Sequence, residues 1–180
     1  MDIQTELEEK LLEKRIILLN KEVDKDGPVQ EKICASLEYL NSISNEEITL
    51  KIDSDGGNHY LGNIIIDHIR QSPSPVHGIG TGYVSSMAFN ILQSCHKTSA
   101  FGLSRLMFHP YRINDLSIWN DNFDGIVKSL KDDFHFFLER LSEKSGQSFI
   151  DLTTWAKQER VFYGYEAKEL GFIDHLIEKQ

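Results

Sequence analysis

Cysteine is scarce in this chain, and this scarcity argues against a disulfide-stabilised fold and against a cysteine metal site. Cys34 and Cys95 are the only two cysteines among 180 residues. Two cysteines are too few for a disulfide framework, and these two lack the close spacing of metal-binding cysteines. Because both have apolar neighbours in the sequence, we expect two reduced cysteines in the core.

The sequence also lacks a long apolar run and a cluster of basic residues. No apolar segment is long enough to cross a bilayer, and residues 1–10 lack the basic start and apolar stretch of a signal peptide. The net charge is −9, and the Lys and Arg residues are dispersed rather than grouped as a phosphate-binding surface requires. We therefore expect a cytoplasmic protein that binds neither membranes nor nucleic acid.

Histidine occurs seven times, but its spacing does not indicate a metal site. His59 and His68 fall within one predicted helical segment and are the pair that most invites a metal interpretation. Nine residues of helix separate them by about 180° around the axis, on opposite faces. We expect no bound metal.

Apolar periodicity predicts strands that alternate with helices along the whole chain. The predicted strands are 15–19, 48–52, 76–79, 97–101 and 105–108. The predicted helices are 29–40, 60–69, 86–92, a long one within 117–145, and 166–171, with Gly171 as the left-handed cap of the last. This alternation is typical of an α/β fold, and the length fits a single domain over 1–180 with a short charged arm over 1–14.

Two segments contain the residues of a possible nucleophilic site. Ser86 begins an apolar run after a glycine-containing turn, where a helix N-terminus favours a developing oxyanion. His109 follows a predicted strand and could take the serine proton if the fold brings the two together. The N–H groups of Gly57 and Met87 could form an oxyanion hole. In a structural interpretation, by contrast, Ser86 is only a helix cap, His109 only a strand-end histidine, and the glycine pair only a tight turn.

The order of five short segments resembles that of the Clp-type serine peptidases. The segments are Ser-Asp-Gly-Gly at 54–57, Gly-Tyr-Val-Ser-Ser-Met-Ala at 82–88, Arg-Leu-Met-Phe-His at 105–109, Ser-Gly-Gln-Ser-Phe-Ile-Asp-Leu at 145–152, and Glu-Ala-Lys-Glu-Leu-Gly-Phe-Ile-Asp at 166–174. The resemblance extends from about Leu11 to Ile177. It implies the ClpP/crotonase-like fold of repeated ββα units, with a long handle helix over 117–145.

The resemblance also implies a role for each candidate residue. Ser86 matches the nucleophile, His109 the general base, and Gly57 with Met87 the oxyanion-hole donors. The family's orienting aspartate falls, by an ungapped count, on Glu159, so the expected triad is Ser-His-Glu.

A Clp-type peptidase subunit hydrolyses polypeptides inside a chamber, and the resemblance implies the same here. The expected assembly is a homo-oligomer, commonly two stacked heptameric rings, whose entry is controlled by an ATP-driven unfoldase. No metal or organic cofactor is expected.

Some departures from the family pattern favour other functions. Glu159 could instead be a surface carboxylate paired with Arg160 or Lys157, and Asp55 replaces a proline beside the expected oxyanion hole, where its charge would oppose an oxyanion. The segment 110–116 also lacks the glycines of the family's substrate-aligning strand. The alternative is a catalytically weak or inactive subunit of a mixed ring. A third possibility is an acyl-thioester enzyme of the crotonase-like fold.

Overall fold

The computed structural model describes residues 3–24, 27–112 and 122–178. In chain order its elements are α1 (Ile3–Glu13), β1 (Ile16–Leu19), α2 (Val29–Ile43), β2 (Ile48–Ser54), α3 (His59–Gln71), β3 (Val76–Ser85), α4 (Met87–Ser94), β4 (Lys97–Phe101), β5 (Arg105–Met107), α5 (Phe123–Ser145), α6 (Phe149–Lys157), β6 (Val161–Tyr163), α7 (Gly164–Glu169) and β7 (His175–Ile177). The predicted handle helix corresponds to α5, and the part of it over 117–121 lies outside the described residues.

The strands form one mixed sheet in the order β1-β2-β3-β4-β7, with β5 pairing to β3 and β6 pairing to β5. All pairs are parallel except β5 with β6. Parallel neighbours need a crossover between them, and α2, α3 and α4 lie between successive strands of the path. The predicted α/β class is therefore confirmed.

Strand β3 runs beyond the predicted 76–79 and pairs with two different neighbours. Its first part pairs with β4, and its last part, Tyr83–Ser85, pairs with β5. The register between β2 and β3 shifts between Ile52 and Ser54. At this shift the Asp53 Oδ1 accepts a hydrogen bond from the Tyr83 N–H at 2.8 Å. The part of β3 that pairs with β5 thus begins at the residue that this hydrogen bond holds.

Aromatic side chains fix α4 against the segment that follows β5. Phe89 and Phe108 are both buried, and their ring centroids are 5.1 Å apart. Phe162 stacks on Phe108 at 5.9 Å. Such pairs contribute about 0.5–1.5 kcal/mol each beyond their area burial. Because Phe89 lies three residues after Ser86 and Phe108 precedes His109, this packing holds the two candidate segments side by side.

The core confirms the expectation for the cysteines. Cys34 and Cys95 are both free and buried. Burial raises the pKa of the Cys95 thiol to about 12, which keeps it protonated and unreactive. In the described part of the chain, no helix is long and apolar enough to cross a membrane.

Candidate active site

Ser86 occupies a sharp turn between the end of β3 and the start of α4. Its backbone has φ 55° and ψ −123°, a conformation that costs a non-glycine residue about 1–3 kcal/mol. The Ser86 side chain makes no capping hydrogen bond, so the interpretation of Ser86 as a simple N-cap has no support in this geometry. A strained strand-to-helix turn that presents a serine hydroxyl is the arrangement of a nucleophile elbow.

Two contacts of the backbone hold this turn. The Ser86 N–H donates to the Met107 carbonyl oxygen at 2.8 Å, which ties the turn to the end of β5. On the other side lies Gly56, with φ 103°. A Cβ at position 56 would lie 2.6 Å from the Ser85 carbonyl oxygen and 2.7 Å from the Met87 nitrogen. Only glycine allows the β2–α3 loop to lie this close to the turn.

The neighbouring Gly57 lies beside Val23, in a backbone conformation that favours glycine. Its φ is 124°, and it forms an isolated parallel bridge with Val23. The two hydrogen bonds of this bridge involve its neighbours: the Val23 N–H donates to the Gly56 carbonyl at 2.7 Å, and the Asn58 N–H donates to the Val23 carbonyl at 2.6 Å. Within the described residues, the Gly57 N–H donates to no backbone acceptor.

Met87, the other expected oxyanion-hole donor, lies at the start of α4. It is the first residue of α4, where helix geometry provides no preceding carbonyl for the N–H. Its side chain is buried and packs directly against Gly62 of α3, where a Cβ would collide with it. Gly56 packs against the Met87 nitrogen and the Ser86 Cβ, and Gly57 follows it in the chain. The N–H groups of Gly57 and Met87 are donors of the kind that an oxyanion hole uses.

His109 lies two residues beyond β5 and is half-buried. Its Nδ1 is 2.6 Å from the Pro110 carbonyl oxygen. Because a carbonyl oxygen can only accept, Nδ1 carries the proton in this hydrogen bond, and Nε2 of a neutral imidazole is then the nitrogen that can accept one. No hydrogen bond joins Ser86 Oγ to His109 among the contacts of the residues described.

Glu159 directly follows the end of α6, in a backbone conformation that usually belongs to glycine. Its φ is 50°. The Glu159 N–H donates to the Ala156 carbonyl at 3.1 Å, and the Arg160 N–H donates to the Trp155 carbonyl at 3.1 Å. This double hydrogen bond is the Schellman motif, with glutamate at the position where glycine is commonest.

The Glu159 carboxylate is exposed and forms an ion pair with Arg112. The alternative interpretation also made Glu159 a surface carboxylate, but with Arg160 or Lys157 as its partner, and the structure shows Arg112 in that place. Arg160 pairs with Glu166 instead, and its guanidinium lies 4.8 Å from the ring centroid of Phe162. Its position is fixed by these contacts, so it does not reach Glu159.

Arg112 governs the ionisation of Glu159. Its hydrogen bond holds the pKa of the Glu159 carboxyl below the ordinary value, and the charge of His109 lowers this pKa further. His109 is also the residue that the expected triad places against this carboxylate. Between these two described residues, however, no ion pair forms within 4.0 Å. The structure packs Gly56 against the serine turn, and it leaves His109 and Glu159 with other partners.

Asp55 lies next to the two glycines but is exposed to solvent. The Gly56 N–H donates to the Ser54 Oγ at 3.1 Å and not to the Asp55 carboxylate. Water therefore screens the charge of Asp55, which the sequence analysis expected to lie beside the oxyanion hole.

A cavity of about 860 Å³ lies between α3, α4 and α5. Its lining includes the polar side chains of His59, Asn90, Tyr111 and Asp133. His59 Nε2 is 2.9 Å from Asp133 Oδ2, and the His59 and Tyr111 rings are 4.1 Å apart. The sequence indicated none of these contacts, because they join residues on separate elements. Among the residues that the structure describes, no group of three or more His, Cys, Asp or Glu could hold a metal ion.

Comparison with known proteins shows similarity over nearly the whole chain. The model of the Clp protease family matches residues 2–180. The protein "ATP-dependent Clp protease proteolytic subunit 2" of Corynebacterium diphtheriae is 30% identical over 99% of this chain and 89% of its own length. The subunit 2 of Thermobifida fusca is 30% identical over 94% of this chain and 83% of its own length. The subunit 3 of Streptomyces coelicolor is 29% identical, over 96% and 79% respectively.

Proposed function

The chain belongs to the Clp protease family, a family of serine-type peptidases, and we propose that it hydrolyses peptide bonds with a triad of Ser86, His109 and Glu159. The observation that carries this proposal is the strained turn at Ser86, against which Gly56 packs beside the Met87 nitrogen. Strain of this kind persists only where the surrounding structure holds it, and such residues cluster at active sites.

The proposed reaction is acyl transfer through the serine. Ser86 Oγ attacks the peptide carbonyl carbon while its proton passes to His109 Nε2, and the carbonyl oxygen becomes an oxyanion bound by the Gly57 and Met87 N–H groups. His109 then gives the proton to the leaving amine as the C–N bond breaks. Water, activated by the same imidazole, hydrolyses the acyl-enzyme. The chemistry needs only side chains and backbone amides of this chain.

Glu159 has the role of orienting group in this proposal. Its carboxylate would accept the Nδ1–H of His109 and stabilise the imidazolium that forms during attack. Glutamate is one methylene longer than the aspartate of the family pattern, and Ser-His-Glu triads are chemically competent. The contact between His109 Nδ1 and the Pro110 carbonyl oxygen supports the Nδ1–H tautomer that this reaction uses.

The assembly is also a proposal. The relatives' printed names describe proteolytic subunits of an ATP-dependent protease, and from this we infer polypeptide substrates, a homo-oligomer of stacked heptameric rings and an ATP-driven unfoldase partner. Phe136 on α5 is 67% exposed, and a second subunit would cover it. The proposal includes one domain over 1–180, with the arm over 1–14 and the handle helix over 117–145, in the cytoplasm.

Hydrolysis of a small fluorogenic peptide ester by the purified, assembled protein tests this function. We expect turnover in the unmodified protein and in Ser85→Ala, and none in Ser86→Ala. Equal turnover in Ser86→Ala would overturn the peptidase function. An assembled ring without turnover would favour the inactive structural subunit, and tight binding of an acyl-CoA that persists in Ser86→Ala would favour the acyl-thioester enzyme.

A further inference from the structure

The base and its proposed orienting acid each have a different partner in this structure. Arg112 lies three residues beyond His109, on the same segment, and its guanidinium donates to Glu159 Oε1. His109 Nδ1 donates to the Pro110 carbonyl oxygen at 2.6 Å. One short segment thus contains both groups that could bind the Glu159 carboxylate.

Arg112 is the stronger of the two competing donors. A guanidinium is charged at every physiological pH and offers several N–H groups in a planar fork that matches a carboxylate. A neutral imidazole offers one uncharged N–H, and hydrogen bonds from charged donors are roughly twice as strong. The carboxylate therefore stays with Arg112 while the imidazole is neutral, which is the state in which it must act as a base.

The backbone of Glu159 is held in place, so a change of partner from Arg112 to His109 would involve its side chain. The Schellman hydrogen bonds to Trp155 and Ala156 fix it at the end of α6. The side chain is 47% exposed, and that of Arg112 is 61% exposed. An exposed ion pair shifts an equilibrium by no more than about fivefold, and salt screens it. The Arg112–Glu159 pair is therefore weak enough to open and strong enough to change a rate.

We propose that Arg112 is a positioning residue that holds Glu159 away from His109, so that the triad is complete only when this ion pair opens. The inference rests on the proposed function. It predicts that kcat of the unmodified protein is below its maximum at low ionic strength, because in part of the population Glu159 is bound to Arg112 and not to His109.

Steady-state kinetics of assembled Arg112→Gln on the peptide ester test this inference. We expect kcat at low salt to rise about two- to fivefold, with KM changed by less than about twofold, since Arg112 has no proposed contact with substrate. The unmodified protein should gain a similar factor between about 50 and about 500 mM NaCl, and Arg112→Gln should not. Arg112→Lys keeps the charge and should retain most of the salt activation.

Two further variants separate this effect from a general change of surface charge. Lys157→Gln removes a cation two residues from Glu159 without an ion pair to it, and should leave kcat within about twofold. In a Glu159→Gln background, Arg112→Gln should give no gain, because the freed group is no longer a carboxylate.

The results that overturn the inference differ from those that overturn the function. Ser86-dependent turnover that is equal or lower in Arg112→Gln contradicts the role of Arg112 and leaves the peptidase intact. A gain that persists in the Glu159→Gln background also contradicts it. Absence of Ser86-dependent turnover in every assembled variant contradicts the proposed function itself.

Discussion

Asp53 Oδ1 accepts a hydrogen bond from the Tyr83 N–H at 2.8 Å and thereby joins β2 to β3 where their register shifts. A Cβ at Gly82 would meet the end of the Asp53 side chain, so the carboxylate would have to shift to accommodate any other residue there. Beyond this point β3 leaves β4, pairs with β5 and ends at the serine turn. The position of Ser86 therefore depends on a contact between two strands that contribute no catalytic group.

Asp53→Ala should lower both stability and activity. Loss of the acceptor leaves the Tyr83 N–H unpaired, which costs about 1 kcal/mol in free energy of unfolding. Because the same bond directs β3 towards β5, peptide-ester turnover should also fall. Asp53→Asn keeps an acceptor oxygen and should rescue much of both. Asp55→Ala, at an exposed neighbour, is the matched control, and equal losses in urea denaturation for the two alanine variants would contradict the account.

Gly56→Ala should abolish most of the turnover. The new Cβ would press on the Ser85 carbonyl and the Met87 nitrogen, 2.6 and 2.7 Å away, and φ 103° is unfavourable for alanine. Gly102→Ala is the control, because a Cβ at Gly102 meets nothing within 4 Å. Peptide-ester turnover and the urea midpoint are measured for both variants. An active Gly56→Ala would show that the serine turn does not require the close packing of Gly56 against it.

The fold was largely predictable because the apolar spacing of its longer elements is regular. The apolar residues of α2 at helical spacing, Ile33, Leu37 and Leu40, are all buried. Gly171 adopts φ 77° at the end of α7, as its sequence context predicted. By contrast, β6 and β7 have three residues each, too few for an alternating pattern to be visible.

The contacts of the site were less predictable than its residues. The continuation of β3 through Gly80 to Gly82 looks like a turn in the sequence, since glycine is depleted in strands. The Arg112–Glu159 ion pair joins two elements far apart in the chain, and side-chain pairing of that kind leaves no local pattern. The resemblance to a family indicated Glu159, but only the structure shows which cation binds it.

Glu159→Gln should lower turnover of the peptide ester by about two orders of magnitude or more. A neutral amide cannot stabilise the imidazolium or enforce the required tautomer as a carboxylate does. Assembly, followed by light scattering, should be unchanged, which separates a loss of catalysis from a loss of the ring. Unchanged turnover would remove Glu159 from the triad.

Asp174→Asn should make stability less sensitive to acid. Burial alone would raise the pKa of Asp174, but hydrogen bonds from Thr98 and the charge of Lys144 hold this pKa below its ordinary value. A lowered pKa stabilises the fold fully above the unfolded value of about 4 and loses this contribution as the pH falls through the folded value. The stability gap between unmodified protein and variant should therefore be about 1 kcal/mol near pH 6 and shrink towards pH 3. A gap in the urea midpoints that is independent of pH would contradict this assignment.

Covalent labelling with a fluorophosphonate tests the central claim most directly, because it reports an activated serine without requiring a known substrate. We predict a single adduct, located by peptide mass spectrometry on Ser86, in the assembled unmodified protein. The same adduct should form in Ser85→Ala, whose altered side chain is the neighbouring buried serine, and should be absent in Ser86→Ala. An assembled protein that gives no adduct on Ser86 would contradict the account.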